Sequence, residues 1–219
     1  MDEASARERV IQDFNVSRET LEALETFTAF LADENERQNL VSRGTLASVW
    51  ERHVLDSAQL LRFAPAAHAS WLDLGTGAGF PGLIVGLLHQ GPVVMIEERK
   101  KRVEFLHRAA EILRIADKVE IYCSRVERID SLPFDVISAR AFAPLEKLFD
   151  LTHSFSTAKT RWILPKGRNA ASELEAAKSS WQGDFRLEQS ITDADAQIIV
   201  AEGVSPKAGG QKRQGKGAR

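Results

Sequence analysis

The chain has 219 residues, of which 43% are hydrophobic and 27% charged, with a formal net charge of −2. This composition is ordinary for a globular protein with a sizeable core, and the slightly acidic balance excludes a nucleic-acid reading based on overall charge. No apolar run approaches the roughly 20 residues that a bilayer crossing needs. The N-terminal "MDEASARERV" lacks the basic-then-apolar pattern of a secretory signal. Cys123 is the single cysteine, so no internal disulfide can form and a reducing, cytoplasmic setting is expected. Nothing in the chain demands an oligomer, and a monomer that does not engage membranes is expected.

In chain order, residues 1–65 read as helical. Leu21, Leu24, Phe27, Phe30 and Leu31 recur at spacings of three and four, with Ser17 placed to cap the run. A second helical stretch is expected from Thr45 to Phe63, and "FAPAAHAS" reads as a linker. From Ser70 strands and helices alternate. "SWLDLG", "PVVMIEE", "KVEIYCS", "FDVISAR" and "TRWILPKG" have strand character. "GLIVGLLHQ", introduced by Pro81, "RKKRVEFLHRAAEILRI" and "PLEKLFDLTHSF" have helical spacing. "FRLEQSI" and "AQIIVAE" are the last expected strands. Such alternation predicts an α/β fold with a parallel sheet and helices on both faces. The expected layout is a helical extension over 1–65, an α/β domain over 66–204, and a basic disordered tail over 205–219. That tail holds five cations and no acid, so the rest of the chain carries −7.

The stretch "DLGTGAGFPG" ends the first of these strands. Ligands of open parallel sheets bind beyond the carboxyl ends of the strands. Gly75 can turn the chain there, and Gly77 and Gly79 are expected to leave bare backbone facing a ligand. A dinucleotide fingerprint needs a third glycine where Phe80 stands. The spacing fits G-x-G-x-G instead, which accommodates S-adenosylmethionine. An acid at the end of the second strand would then hold the ribose. Glu97 is preferred for this, with Glu98 beside it.

Together "DLGTGAGFPG", "ERKKRVEFL", "SRVE", "SARAFAPLEKL" and "LPKG" resemble the small-subunit ribosomal RNA guanine-N7 methyltransferases, the glucose-inhibited division protein B family. "NLVS" and "RHVLDS" upstream match the same family's helical extension. The resemblance runs in order from Gln38 to Gly167. It implies a Rossmann-like class I S-adenosylmethionine-dependent methyltransferase fold with an N-terminal helical extension. It further implies methyl transfer to N7 of a guanosine in the 530 loop of 16S rRNA, presented as rRNA or small ribosomal subunit. Residue by residue, it sets Gly75 and Phe80 against the donor, Val126 and Glu127 beside its adenine, and Arg140 at the donor or its target.

Guanine N7 carries an exposed lone pair and no proton, so attack on an activated methyl needs alignment and no general base. No catalytic base or metal is therefore expected, and the histidines show no ligand spacing. Cations for RNA phosphates are needed. Arg125, Arg140 and Lys166, each just past a strand end, are candidates, joined by Arg52 and His53 from the helical extension. The simpler alternatives are an Arg52–Asp56 surface pair, an Arg125–Glu127 pair, and a core role for Phe142 in place of stacking on the base. Two functional alternatives stand beside the main reading. One is a methyltransferase of another substrate; the other is a non-catalytic domain that binds S-adenosylmethionine.

Overall fold

The computed structural model describes residues 1–208. Most of the expected basic tail lies outside the described residues. Helix α1 (Glu3–Asp13) starts on Asp2, whose carboxylate accepts the Ser5 N–H. Helix α2 (Arg18–Gln38) is capped by Ser17, which accepts from Thr20 N–H at 3.2 Å, and ends where Asn39 turns left-handed.

The second helical stretch is not one helix. It breaks into α3 (Arg43–Leu46), a π-helix (Trp50–Leu55), α4 (Asp56–Ala58) and a 3-10 turn (Gln59–Phe63). The Trp50 and Glu51 N–H groups donate to the carboxylate of Glu3, 2.9 and 3.1 Å away on α1. A side chain distant in sequence thus satisfies backbone donors at the start of the widened turn.

The remaining α-helices and β-strands are β1 (Trp71–Leu74), α5 (Gly82–Leu88), β2 (Val93–Glu97), α6 (Lys100–Ile112), β3 (Val119–Cys123), β4 (Val136–Ala139), α7 (Leu145–Thr152), β5 (Arg161–Lys166), α8 (Ala170–Ala177), β6 (Trp181–Gln189) and β7 (Gln197–Pro206). They build a seven-stranded sheet of order β3-β2-β1-β4-β5-β7-β6. The first five strands are parallel, with Trp71 opposite Val93 on one side and Val136 on the other.

The all-parallel expectation fails for the last two strands. β7 runs antiparallel to β5, and β6 antiparallel to β7. Only residues 190–196 separate β6 from β7, too few for the crossover that parallel pairing requires. Helix α8 is also unanticipated; it buries only Ala170, Leu174 and Ala177. Both hairpin strands are longer than the apolar pattern suggests. β6 begins at Trp181, and β7 extends to Pro206, two residues into the segment assigned to the tail.

Side chains of β1 alternate between two cores, as a strand's period of two demands. Leu72 and Leu74 join Leu148, Phe149 and Trp162 under α7 and α8. Trp71 faces the other way, into a core that also holds Leu24, Phe27 and Leu31 of α2 with Phe80, Leu83 and Phe105. The helical extension and the sheet therefore share one apolar core. Phe27 is fully buried in it, with its ring 5.8 Å from that of Phe80. Phe27→Ala is expected to cost about 3–5 kcal/mol and to lower a single unfolding transition in urea. A separate, earlier loss of helical signal in that variant would mean that extension and sheet fold independently.

Candidate active site

The loop after β1 is shaped by a buried carboxylate. Asp73 accepts from the Gly82 N–H at 3.0 Å and the Ser138 hydroxyl at 2.7 Å, while Ser138 Oγ accepts from the Trp71 indole at 2.8 Å. Burial pushes the Asp73 carboxyl up to about 6, and these hydrogen bonds oppose the shift. The start of α5 is thereby tied to β1, and the glycines between them complete the turn. Gly75, Gly77 and Gly79 have φ of +62°, +59° and +87°.

These glycines are not equivalent. A Cβ on Gly79 would lie 2.2 Å from Leu83 Cδ1, so that glycine serves helix packing and not ligand approach. A Cβ on Gly75 would meet Phe142 Cδ2 at 2.3 Å. At Gly77 the nearest atom to a Cβ is 3.5 Å away, which leaves the backbone open.

Two cavities flank the carboxyl ends of the strands. The smaller, about 410 Å³, is lined by Gly75, Ile96, Glu97, Glu98, Arg125, Val126 and Glu127 among others. Glu97 is buried, accepting from Gly77 N–H at 3.0 Å on one oxygen and from Arg99 N–H at 2.9 Å on the other. Glu98 is exposed and pairs with Arg125 at 3.1 Å, so the Arg125–Glu127 pair does not form. Arg125 thus borders the smaller cavity.

The larger cavity, about 750 Å³, lies between the helical extension and the ends of β4, β5 and β7. Arg52, His53, Asp56, Arg140, Lys166, Glu173 and Asp193 line it. Its cations are paired. Arg52 meets Asp193 at 2.7 Å, and this bond raises the pKa of the arginine and lowers that of the aspartate. Lys166 meets Glu173 at 2.8 Å. The Arg52–Asp56 pair is replaced, because Asp56 accepts from Arg140, Thr192 and Gln59.

Arg140 is the centre of this wall. Its guanidinium donates to the Arg52 carbonyl at 3.2 Å, to Asp56 Oδ2 at 3.4 Å and to His53 Nδ1 at 3.0 Å. It also lies 5.4 Å from the centroid of the Phe80 ring. Burial works against its charge and Asp56 offsets that cost. Phe80 is buried beneath His53, 4.8 Å between ring centroids, and its ring belongs to the junction with the extension and does not line the smaller cavity. His53 does not supply a cation for phosphate. A guanidinium can only donate, so Nδ1 must accept and the ring is neutral. Burial, then Arg140 and Arg52, push its pKa down to about 3.

Several of these partners escaped sequence reasoning. Asp193, Thr192 and Gln59 sit in stretches without a motif, and Glu173 lies on the unanticipated α8. The one local signal was Glu173, seven positions after Lys166; Asp193 and Asp56 are far in sequence from the cations they meet.

A parallel sheet extended by an antiparallel hairpin, with a glycine loop after β1 and an acid at the end of β2, defines a class I S-adenosylmethionine-dependent methyltransferase. Solved structures share that fold. An O-methyltransferase from Bacillus cereus in complex with SAH superposes with a TM-score of 0.60 at 15% identity, covering 90% of this chain and 97% of that one. A ribosomal protein L11 methylase from Lactobacillus delbrueckii gives 0.56 at 17% identity, covering 70% and 78%. The family model described as rRNA small subunit methyltransferase G matches residues 20–199. Ribosomal RNA small subunit methyltransferase G of Rhizorhabdus wittichii is 51% identical over 199 residues, 90% of this chain and 92% of its own. The protein of the same name from Zymomonas mobilis is 48% identical over 204 residues, 90% and 91% of the two chains. The chain belongs to the rRNA small subunit methyltransferase G family.

The depressed pKa of His53 has a consequence for stability. Between about pH 6.5, the unfolded value, and about pH 3 the unfolded chain binds a proton that the folded chain refuses. The His53 contribution is therefore full above that window and falls as pH drops through it, by up to about 1.4 kcal/mol per pH unit. Asp73, raised from 3.8 to about 6, contributes the opposite slope between those values, so the His53 effect is read as a difference between variants. In urea melts from about pH 7 to about pH 4.5, His53→Gln, which keeps an acceptor for Arg140 but does not titrate, should lose less stability on acidification, or gain more, than the wild type; equal slopes would show that His53 is not the acid-sensitive group.

Proposed function

We propose that this protein transfers a methyl group from S-adenosylmethionine to N7 of a guanosine in the 530 loop of 16S rRNA, with the donor in the smaller cavity and the target nucleotide in the larger. The observation that carries this reading is the adjacency of the two cavities, which share the wall Ala141–Phe142–Ala143. Residues in the smaller cavity fit the donor. Glu97 uses one acceptor site on each oxygen for backbone N–H groups, and a carboxylate retains further lone pairs for ribose hydroxyls. Val126 and Ile96 offer apolar surface for a purine, and Glu127 borders it. Gly75 and Gly77 present backbone to the donor in this reading. Gly79 stays in the loop for packing.

When bound, the donor supplies a methyl group already activated on a sulfonium. The protein's task is then alignment. Arg140, fixed on three acceptors, holds the wall of the larger cavity in place as a positioning residue. Arg52 and Lys166 can exchange their carboxylate partners for RNA phosphates, and Arg125 can do so at the rim. Methylation at N7 leaves the base positively charged, and Asp56, Asp193 and Glu173 in the cavity wall favour that charge. No side chain needs to remove a proton.

Incubation with labelled donor and undermethylated small subunits, followed by nucleotide mapping, tests the reading; absence of label at a guanosine N7 in the 530 loop would overturn it. Glu97→Gln should weaken donor binding by about tenfold or more, the worth of a charge-assisted hydrogen bond. Lys166→Ala and Arg52→Ala should raise KM for the subunit and leave donor affinity unchanged. The wild-type KM for RNA should rise steeply with salt. A salt-independent KM would favour a substrate without phosphates.

A further inference from the structure

The ring of Phe142 lies where the two cavities meet. It is packed so closely on Gly75 that a Cβ there would be 2.3 Å from Cδ2 and 3.0 Å from Cε2. It lines both cavities, and 37% of the residue is nonetheless exposed. A large apolar side chain that is neither buried nor free is held by little packing. The preceding residue, Ala141, has φ +52°, a left-handed backbone that L residues adopt at a cost. The arrangement that puts the ring on Gly75 is therefore strained, and it has a neighbouring space of about 750 Å³ into which to relax.

From this geometry we propose that Phe142 is a gate between donor and acceptor, and that its ring must leave Gly75 before the donor can seat against the glycine loop. The inference rests on the assignment of the smaller cavity to the donor. Methyl transfer demands a direct line between the two cavities, with reacting atoms about 3–3.5 Å apart. The ring stands on that line. Moving it into the larger cavity opens the path and brings an aromatic face to the side where the target base enters. Donor uptake is then a population shift: the competent state is the one with the ring displaced, and apparent affinity is reduced by the fraction of time it is populated.

The test is S-adenosylhomocysteine binding to the full-length protein, by calorimetry and stopped-flow, in wild type, Phe142→Ala, Phe142→Leu and Glu97→Gln. With a competent state populated about a tenth of the time, removing the ring is expected to speed association and tighten binding by up to about tenfold. Phe142→Leu should fall between wild type and Phe142→Ala, and it keeps apolar bulk should the alanine variant misfold. Binding in both variants within twofold of wild type, or weaker, would overturn the gate. If Glu97→Gln loses binding while the Phe142 variants are unchanged, the gate alone fails. If Glu97→Gln and both Phe142 variants all match wild type, the donor-site assignment fails with it.

Discussion

Arg140 is the contact on which the arrangement of this molecule turns. It leaves the end of β4 and reaches three acceptors on the helical extension: the Arg52 carbonyl, the Asp56 carboxylate and His53 Nδ1. The apolar core shared by extension and sheet brings those groups close, and hydrogen bonds of this directionality fix their orientation. Because a guanidinium can only donate, its partners must all be acceptors, which forces His53 Nδ1 to accept and the ring to be neutral. A charge that holds two layers together also defines the wall of the larger cavity. Loss of either partner would leave a buried polar group unmatched, which costs more than the contact itself contributes.

The glycine loop shows how one short stretch divides its work. Asp73, buried on β1, receives the first N–H of α5, and so sets where strand ends and helix begins. Gly79 lets Leu83 and Leu106 close under that helix, Gly77 donates its N–H to Glu97 and has no atom within 3.4 Å of where a Cβ would stand, and Gly75 lies under the Phe142 ring. A uniform reading of the glycines as ligand-facing would miss that only part of the loop faces the cavity.

The electrostatics of the larger cavity differ from a simple basic groove. Each of its cations already holds a carboxylate: Arg52 with Asp193, Arg140 with Asp56, Lys166 with Glu173. Such pairs are weak where water reaches them. Under the proposed function, Arg52 and Lys166 trade these carboxylates for phosphates, and a chain of net negative charge then serves an anionic substrate.

The sequence by itself determined the local features. The apolar spacing of Leu24, Phe27 and Leu31 defined α2, Ser17 its start, and short apolar runs bounded by turns the five parallel strands. The order Asp73, glycine loop, Glu97 was legible because those residues need only a strand, a turn and the next strand to come together. Tertiary structure alone decided the rest. Asp193 reaches Arg52 across 141 positions and Arg140 reaches His53 across 87, and no local pattern encodes such meetings. The π-helix depends on Glu3, supplied by another helix, and the antiparallel hairpin depends on a connection too short to cross the sheet. Which of Glu97 and Glu98 turns inward, and which way the Phe80 ring faces, followed from packing against neighbours that only the folded chain assembles.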